Sequence, residues 1–108
     1  MDIDDIVLNI FYIYCWKYKP KRCQCGCNKK LPYDLNKCCM DHNLEKSKYP
    51  ECKYSITNIS YYMPDCHANK SNGFPNKKQL ERINKSIEKY DFLKKESLNF
   101  EKRIKSKL

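Results

Sequence analysis

The sequence predicts a small α+β domain, in which a core of two short strands and a helix lies between an N-terminal helix and a long C-terminal amphipathic helix. The chain has 108 residues, enough for one modest hydrophobic core. Apolar residues recur at helical spacing near both ends, whereas the middle contains short stretches rich in β-branched and aromatic residues. We therefore expect three segments, comprising residues 1–18, 19–74 and 75–108.

The first segment is predicted to be helical from residue 2 to about residue 16. Its apolar side chains follow one another at intervals of three and four residues, which places them on one helix face. They are Ile3, Ile6, Val7, Ile10, Phe11 and Tyr14. Acidic residues at its start interact favourably with the helix dipole. The β-branched and aromatic content also permits a strand here.

Eight cysteines indicate that a metal or cross-links stabilise the domain. The chain opens with Met-Asp-Ile-Asp-Asp rather than with the basic and apolar stretches of a secretion signal, and its first apolar run is too short to span a bilayer. We expect an intracellular protein, cytoplasmic or nucleoid-associated, in whose reducing surroundings closely spaced cysteines bind metal more often than they pair. Cys23-Gln-Cys25-Gly-Cys27 fits a tight knuckle around one ion, for which Zn²⁺ is the commonest occupant.

The middle of the chain is predicted to form two strands and a short helix. Residues 37–42 and 56–63 are the strands, separated by a polar loop. Pro64 suits the first turn of the helix, and Gly73 can end it through a left-handed conformation.

The last segment is predicted to be one amphipathic helix from about residue 76 to about residue 105. Its apolar stripe begins with Leu80, Ile83, Ile87 and Tyr90 and continues less regularly. This stripe must be covered, either by the N-terminal helix or by a second copy of the chain. Core packing and a homodimer through the C-terminal helix are therefore the two alternatives.

The chain is strongly basic, with 22 Lys and Arg against 13 Asp and Glu and a formal net charge of +9. A polyanion is the obvious partner, because neutralising phosphates releases counterions and gives affinity that does not depend on sequence. The alternative is that the lysine-rich faces only keep the protein soluble.

Asp41-His42, Asn58 and Cys66-His67 follow one another in an order that resembles the HNH nuclease family. Asn58 lies nine residues before His67, and His42 lies sixteen residues before Asn58. In that family, Asp-His or His-His on a first strand is followed by an Asn and then by Cys-x-x-Cys-His at the start of a helix. The resemblance covers about half of the chain. It implies a ββα-metal, treble-clef-like core and an endonuclease that hydrolyses DNA phosphodiester bonds.

The resemblance implies a role for each matching side chain. His42 matches the general base that activates water, for which an imidazole has a suitable pKa. Asp41 and His67 match ligands of a catalytic divalent ion, Mg²⁺ or a similar ion, that polarises the phosphate. Asn58 matches the residue that holds the loop carrying His42. The lysines expected to contact nucleic acid are Lys46, Lys48, Lys70, Lys77 and Lys78.

The cysteines depart from the family pattern. Where a second Cys-x-x-Cys pair would stand, the chain has Met63-Pro-Asp-Cys66, and a thioether is a poor zinc ligand. We expect a structural Zn²⁺ site made by Cys66 with two or three of the knuckle cysteines Cys23, Cys25 and Cys27. The fourth sulfur comes either from the third cysteine of the knuckle or from Cys38, Cys39 or Cys52.

Two other functions remain open. The imperfect cysteine set and the terminal helices also suit a catalytically inactive zinc-binding module that binds nucleic acid or a protein partner, in which His67 completes a structural zinc site. Alternatively, the chain is a structural or inhibitory protein whose cysteines are simply buried.

Overall fold

The computed structural model describes residues 2–34 and 37–108, which form four α-helices and one two-stranded antiparallel sheet. The α+β class is as predicted. The elements are α1 (Ile3–Trp16), β1 (Cys39–His42), β2 (Ile59–Tyr62), α2 (Pro64–Ser71), α3 (Lys77–Glu88) and α4 (Tyr90–Lys105).

Helix α1 forms where the apolar spacing predicted it, so the alternative of a strand is wrong. The side chain of Asp2 caps the helix by accepting a hydrogen bond from the backbone N–H of Asp4 at 3.2 Å. Val7, Phe11 and Cys15 lie on the face that is fully buried. The acidic N-terminus and the three-and-four spacing thus describe the helix correctly.

The sheet and α2 form one continuous unit. In the sheet, Asp41 lies opposite Ser60, and His42 lies opposite Ile59. Helix α2 starts directly after β2, with Pro64 in its first turn. This connection places the start of α2 beside β1, and so brings the Cys66-His67 pair close to the Asp41-His42 pair.

Both predicted strands are shorter in the structure. Observed strand β1 begins at Cys39, and residues 56–58 form a 3-10 turn instead of extending β2. Glu96 holds this turn, because its carboxylate accepts hydrogen bonds from the backbone N–H of Thr57 at 3.0 Å and from the hydroxyl of Ser55 at 2.5 Å. A contact from α4 therefore overrides the β propensity of this segment.

The prediction of one long C-terminal helix is wrong, because the chain bends at Lys89 between α3 and α4. No proline or glycine stands at this position. The two halves pack on different parts of the molecule: α3 faces the cysteine knuckle, whereas α4 packs on the segment 50–58 and on α1. One straight helix cannot make both sets of contacts, so tertiary packing sets the break.

An aromatic cluster lies at the centre of the core. Phe11 of α1 contacts Phe100 of α4 edge-on, with ring centroids 5.3 Å apart, and Tyr54 completes the group at 5.9 Å from Phe11. Leu93 of α4 is buried in a second cluster with Leu44 and Cys52. Part of the predicted apolar stripe is therefore covered by the same chain, whereas Leu80, Ile87 and Leu98 are exposed. Within the described ranges, no helix combines the length and apolar character needed to cross a membrane.

Candidate functional site

Four cysteines form a compact cluster that can hold a metal ion. The sulfur atoms of Cys23, Cys25, Cys27 and Cys66 all lie within 4.8 Å of one another. Cys25 is the most central, with its Sγ 3.3 Å from that of Cys23 and 3.2 Å from that of Cys66. Tetrahedral Zn²⁺ with Zn–S bonds of about 2.3 Å would separate its sulfur ligands by roughly 3.8 Å. The cluster therefore has the size of a four-thiolate site.

The knuckle that supplies three of these sulfurs is a narrow hairpin. A backbone bridge joins Arg22 to Lys30, and Cys23 donates its N–H to the carbonyl of Lys29 at 2.9 Å. Gly26 turns the chain with a φ of +92°, where an L side chain would be strained. The backbone N–H of Cys27 donates a hydrogen bond to the Sγ atom of Cys25 at 3.3 Å. Such donors favour the thiolate form that binds metal.

Helix α3 fastens the knuckle to α2, a contact that the sequence did not reveal. Gln79 donates to the carbonyl of Cys66 at 2.9 Å, and Asn76 donates to the carbonyl of Cys25 at 2.9 Å. Arg82 donates to the carbonyl of Gln24 at 3.1 Å. The only local signal was the pairing of Asn76 with Gln79, which form a capping box at the start of α3.

The thiols of the cluster differ in acidity. Burial alone would raise the pKa of Cys25, but hydrogen bonds from Cys66 and Cys27 outweigh it and lower the pKa to about 7. Burial raises the pKa of Cys23 and of Cys66. One thiolate therefore forms readily near neutral pH and can begin metal binding.

The fourth sulfur of the cluster comes from within the knuckle. Cys27 takes this position, whereas Cys38, Cys39 and Cys52 lie outside the cluster. Buried Cys38 and Cys52 pack in the two apolar clusters. The four-sulfur set also excludes the imidazole of His67, which is thus left for other contacts.

A polar cleft lies where β1 faces α2. Asp41 is its centre: His67 Nε2 is 3.5 Å from Asp41 Oδ1, and Lys70 Nζ is 2.6 Å from Asp41 Oδ2. The cleft has a volume of about 390 Å³ and is lined by Asp41, His42 and His67, among others. One carboxylate oxygen and one imidazole nitrogen at this spacing fit a shared divalent ion bound at about 2.1 Å by each.

His42 is almost fully buried at the base of this cleft. Its Nε2 lies 2.8 Å from the carbonyl oxygen of Lys53. Because a carbonyl can only accept, Nε2 carries the proton and Nδ1 carries the free lone pair of the neutral ring. Burial lowers the pKa of His42, which keeps the ring neutral at physiological pH.

Asn58 ties the turn after His42 to the start of β2. Its Oδ1 accepts the N–H of Leu44 at 2.9 Å, and its Nδ2 donates to the carbonyl of Leu44 at 3.2 Å. The backbone adds a further bond, from Asn43 N–H to the Asn58 carbonyl at 2.7 Å. Asn58 is fully buried, so all three bonds are shielded from water.

The lysines expected to contact nucleic acid occupy different surroundings. Lys46 lines the cleft and donates to the hydroxyl of Tyr12 at 3.2 Å, whereas Lys70 turns inward to Asp41. Lys48 is exposed near Glu45, 3.9 Å away. Lys77 and Lys78 are exposed in the first turn of α3, and the side chain of Lys78 lies against Gly26. Lys46 and Lys70 therefore lie at the cleft, Lys48 contacts Glu45 in its lining, and Lys77 and Lys78 lie in the turn of α3 beside the knuckle.

Comparison of the chain with protein-family models, with curated proteins and with solved structures finds no match.

Proposed function

We propose that this protein is a small HNH-type, metal-dependent endonuclease that hydrolyses DNA phosphodiester bonds. The observation that carries the proposal is the cleft itself, in which a carboxylate and an imidazole, 3.5 Å apart, share the walls with a buried neutral histidine. Asp41 and His67 would hold Mg²⁺ or a similar ion. That ion would polarise the phosphate and stabilise the leaving oxygen.

His42 is the proposed general base. Its Nδ1 accepts a proton from the attacking water, while the bond from Nε2 to the Lys53 carbonyl fixes the orientation and tautomer of the ring. Asn58 positions this base indirectly, by holding the turn that follows it. The net charge of +9 attracts the phosphate backbone. A Zn²⁺ ion in the cysteine cluster would brace the knuckle against α2 and α3.

A supercoiled-plasmid assay with Mg²⁺, Mn²⁺ or Ni²⁺ tests the proposal. We expect the wild-type protein to cleave and His42→Ala to lose cleavage by about a hundredfold or more, because a general base contributes roughly that factor. Lys94→Ala, at an exposed position of α4, serves as the control. Circular dichroism establishes that each variant is folded. Nicking retained by folded His42→Ala would rule out the proposed base.

The second candidate is an inactive zinc-binding module that binds nucleic acid or a protein. It is favoured by one observation: the ammonium of Lys70 already neutralises Asp41 at 2.6 Å, where a catalytic ion would need this carboxylate. Absence of cleavage with every metal, together with tight binding of DNA that weakens with salt, would favour this candidate.

A further inference from the structure

Lys70 forms an unusually well-shielded ion pair for a lysine of a short surface helix. Only 10% of its side chain and 16% of that of Asp41 are exposed. Besides the contact of 2.6 Å with Asp41 Oδ2, Nζ donates to the carbonyl of His42 at 3.4 Å. Lysine is rarely buried unless it is paired, and ordering its long side chain costs conformational entropy. The ammonium is therefore held by one ion pair with Asp41 and by one hydrogen bond to the carbonyl of His42.

The same carboxylate is also one of the two side chains proposed to hold the divalent ion. Oδ1 of Asp41 faces His67, and Oδ2 faces Lys70. A cation that shares Asp41 with the ammonium is repelled by it, and solvent screens this repulsion less than at the surface because both side chains of the Asp41–Lys70 pair are mostly shielded. The ammonium and a divalent ion therefore compete for one carboxylate.

We propose that Lys70 is a built-in counterion, which holds Asp41 in the ion-free protein and moves away when the divalent ion binds. Lys70 thus sets the ion affinity of the cleft. This inference rests on the proposed function, because it concerns the ion assigned to Asp41 and His67. Once released, the ammonium remains one helical turn from His67, where its charge complements a phosphate in the cleft.

The test is a calorimetric titration of zinc-loaded protein with Mn²⁺ in the absence of DNA. Mn²⁺ does not compete with Zn²⁺ for thiolates, so the cysteine cluster stays loaded. We expect Lys70→Gln to bind Mn²⁺ about tenfold more tightly than the wild type, because the competing charge is gone. Lys70→Arg should bind Mn²⁺ more weakly than the wild type, because a guanidinium pairs with a carboxylate through two hydrogen-bond donors. This second variant also keeps Asp41 paired if Lys70→Gln folds poorly.

Lys46→Gln is the matched control. It removes one positive charge from the wall of the same cleft, but Lys46 Nζ contacts the hydroxyl of Tyr12 rather than Asp41. We expect its Mn²⁺ affinity to change by less than about threefold, as for a screened charge at the surface. Asp41→Asn assigns the heat to this site, because it should abolish binding in every background.

The possible titration results distinguish the role of Lys70 from the existence of the ion site. Equal Mn²⁺ affinity in the wild type, Lys70→Gln and Lys70→Arg, with loss in Asp41→Asn, would overturn the role of Lys70 and leave the ion site standing. Equal gains in Lys70→Gln and Lys46→Gln would overturn it too, since general charge would explain both. Binding by Lys70→Gln but not by the wild type supports the inference in its strongest form. No Mn²⁺ binding by any variant would overturn both the inference and the proposed ion site.

Discussion

At the scale of single residues, Asn58 is the clearest case of one side chain that holds a turn by specific hydrogen bonds. Asparagine is common in turns, and a simple turn residue would be exposed. Instead, Asn58 is fully buried and bonds both backbone polar groups of Leu44. Its amide supplies the hydrogen-bond partners of the Leu44 backbone and so fixes the turn that follows His42.

We expect Asn58→Ala to lower the free energy of unfolding by about 2–4 kcal/mol, because it leaves a buried donor and a buried acceptor of Leu44 unpaired and opens a small cavity. Urea denaturation followed by circular dichroism measures the loss. Asn69→Ala, at an exposed position of α2, is the matched control and should change stability by less than about 0.5 kcal/mol. Equal stability of the two variants would contradict the bracing role of Asn58.

At the scale of elements, the sequence correctly predicted those helix positions that depend on residues close together in the chain. The spacing of apolar residues located α1, and Pro64 located the start of α2. The bend at Lys89 and the 3-10 turn at residues 56–58 were missed, because Tyr90 and Glu96 act through contacts distant in sequence. The order of Asp41, His42 and His67 indicated which residues share the cleft, but the orientation of Lys70 depends on tertiary packing and has no sequence signature.

The junction between α3 and the cysteine knuckle gives a prediction at the same scale. Gln79→Ala removes the bond to the Cys66 carbonyl and half of the capping box, so we expect stability to fall by about 1–3 kcal/mol. The rate at which a chromophoric chelator removes zinc from Gln79→Ala should also be higher than for the wild type. Asn84→Ala, at an exposed position of α3, is the control and should match the wild type in both measurements. An unchanged rate of zinc release from Gln79→Ala would show that this contact of α3 does not stabilise zinc in the cysteine cluster.

At the scale of the whole molecule, the cysteine cluster joins two parts of the chain that are distant in sequence, the knuckle and the start of α2. We expect one Zn²⁺ per chain, and we expect the exposed thiol of Cys27 to react with an alkylating reagent only after zinc is removed, whereas the buried thiols of Cys15, Cys38 and Cys52 are shielded in either case. Cys66→Ser should lose zinc and several kcal/mol of stability, whereas Cys39→Ser should retain zinc, because Cys39 lies outside the cluster. Metal analysis and thermal melts measure both. Full zinc content in Cys66→Ser would contradict the assigned ligand set.

A homodimer through the C-terminal helices remains a prediction at this scale. Leu93 and Phe100 of α4 are covered within the chain, so a dimer would have to use the apolar side chains of α3 and α4 that are exposed. These include Leu80, Ile87, Phe92 and Leu98. Sedimentation equilibrium tests it, and a purely monomeric mass at high concentration would contradict it.

The attachment of the knuckle to α2 and α3 also determines when the four-cysteine cluster can be completed during synthesis. Three of its sulfurs leave the ribosome early, but Cys66 follows 39 residues after Cys27, and Arg82 follows 58 residues after Gln24. Because domains made on the ribosome acquire structure from the N-terminus onwards, the nascent chain carries three thiols without their fourth partner for a time. During that interval the fold does not yet shield these thiols.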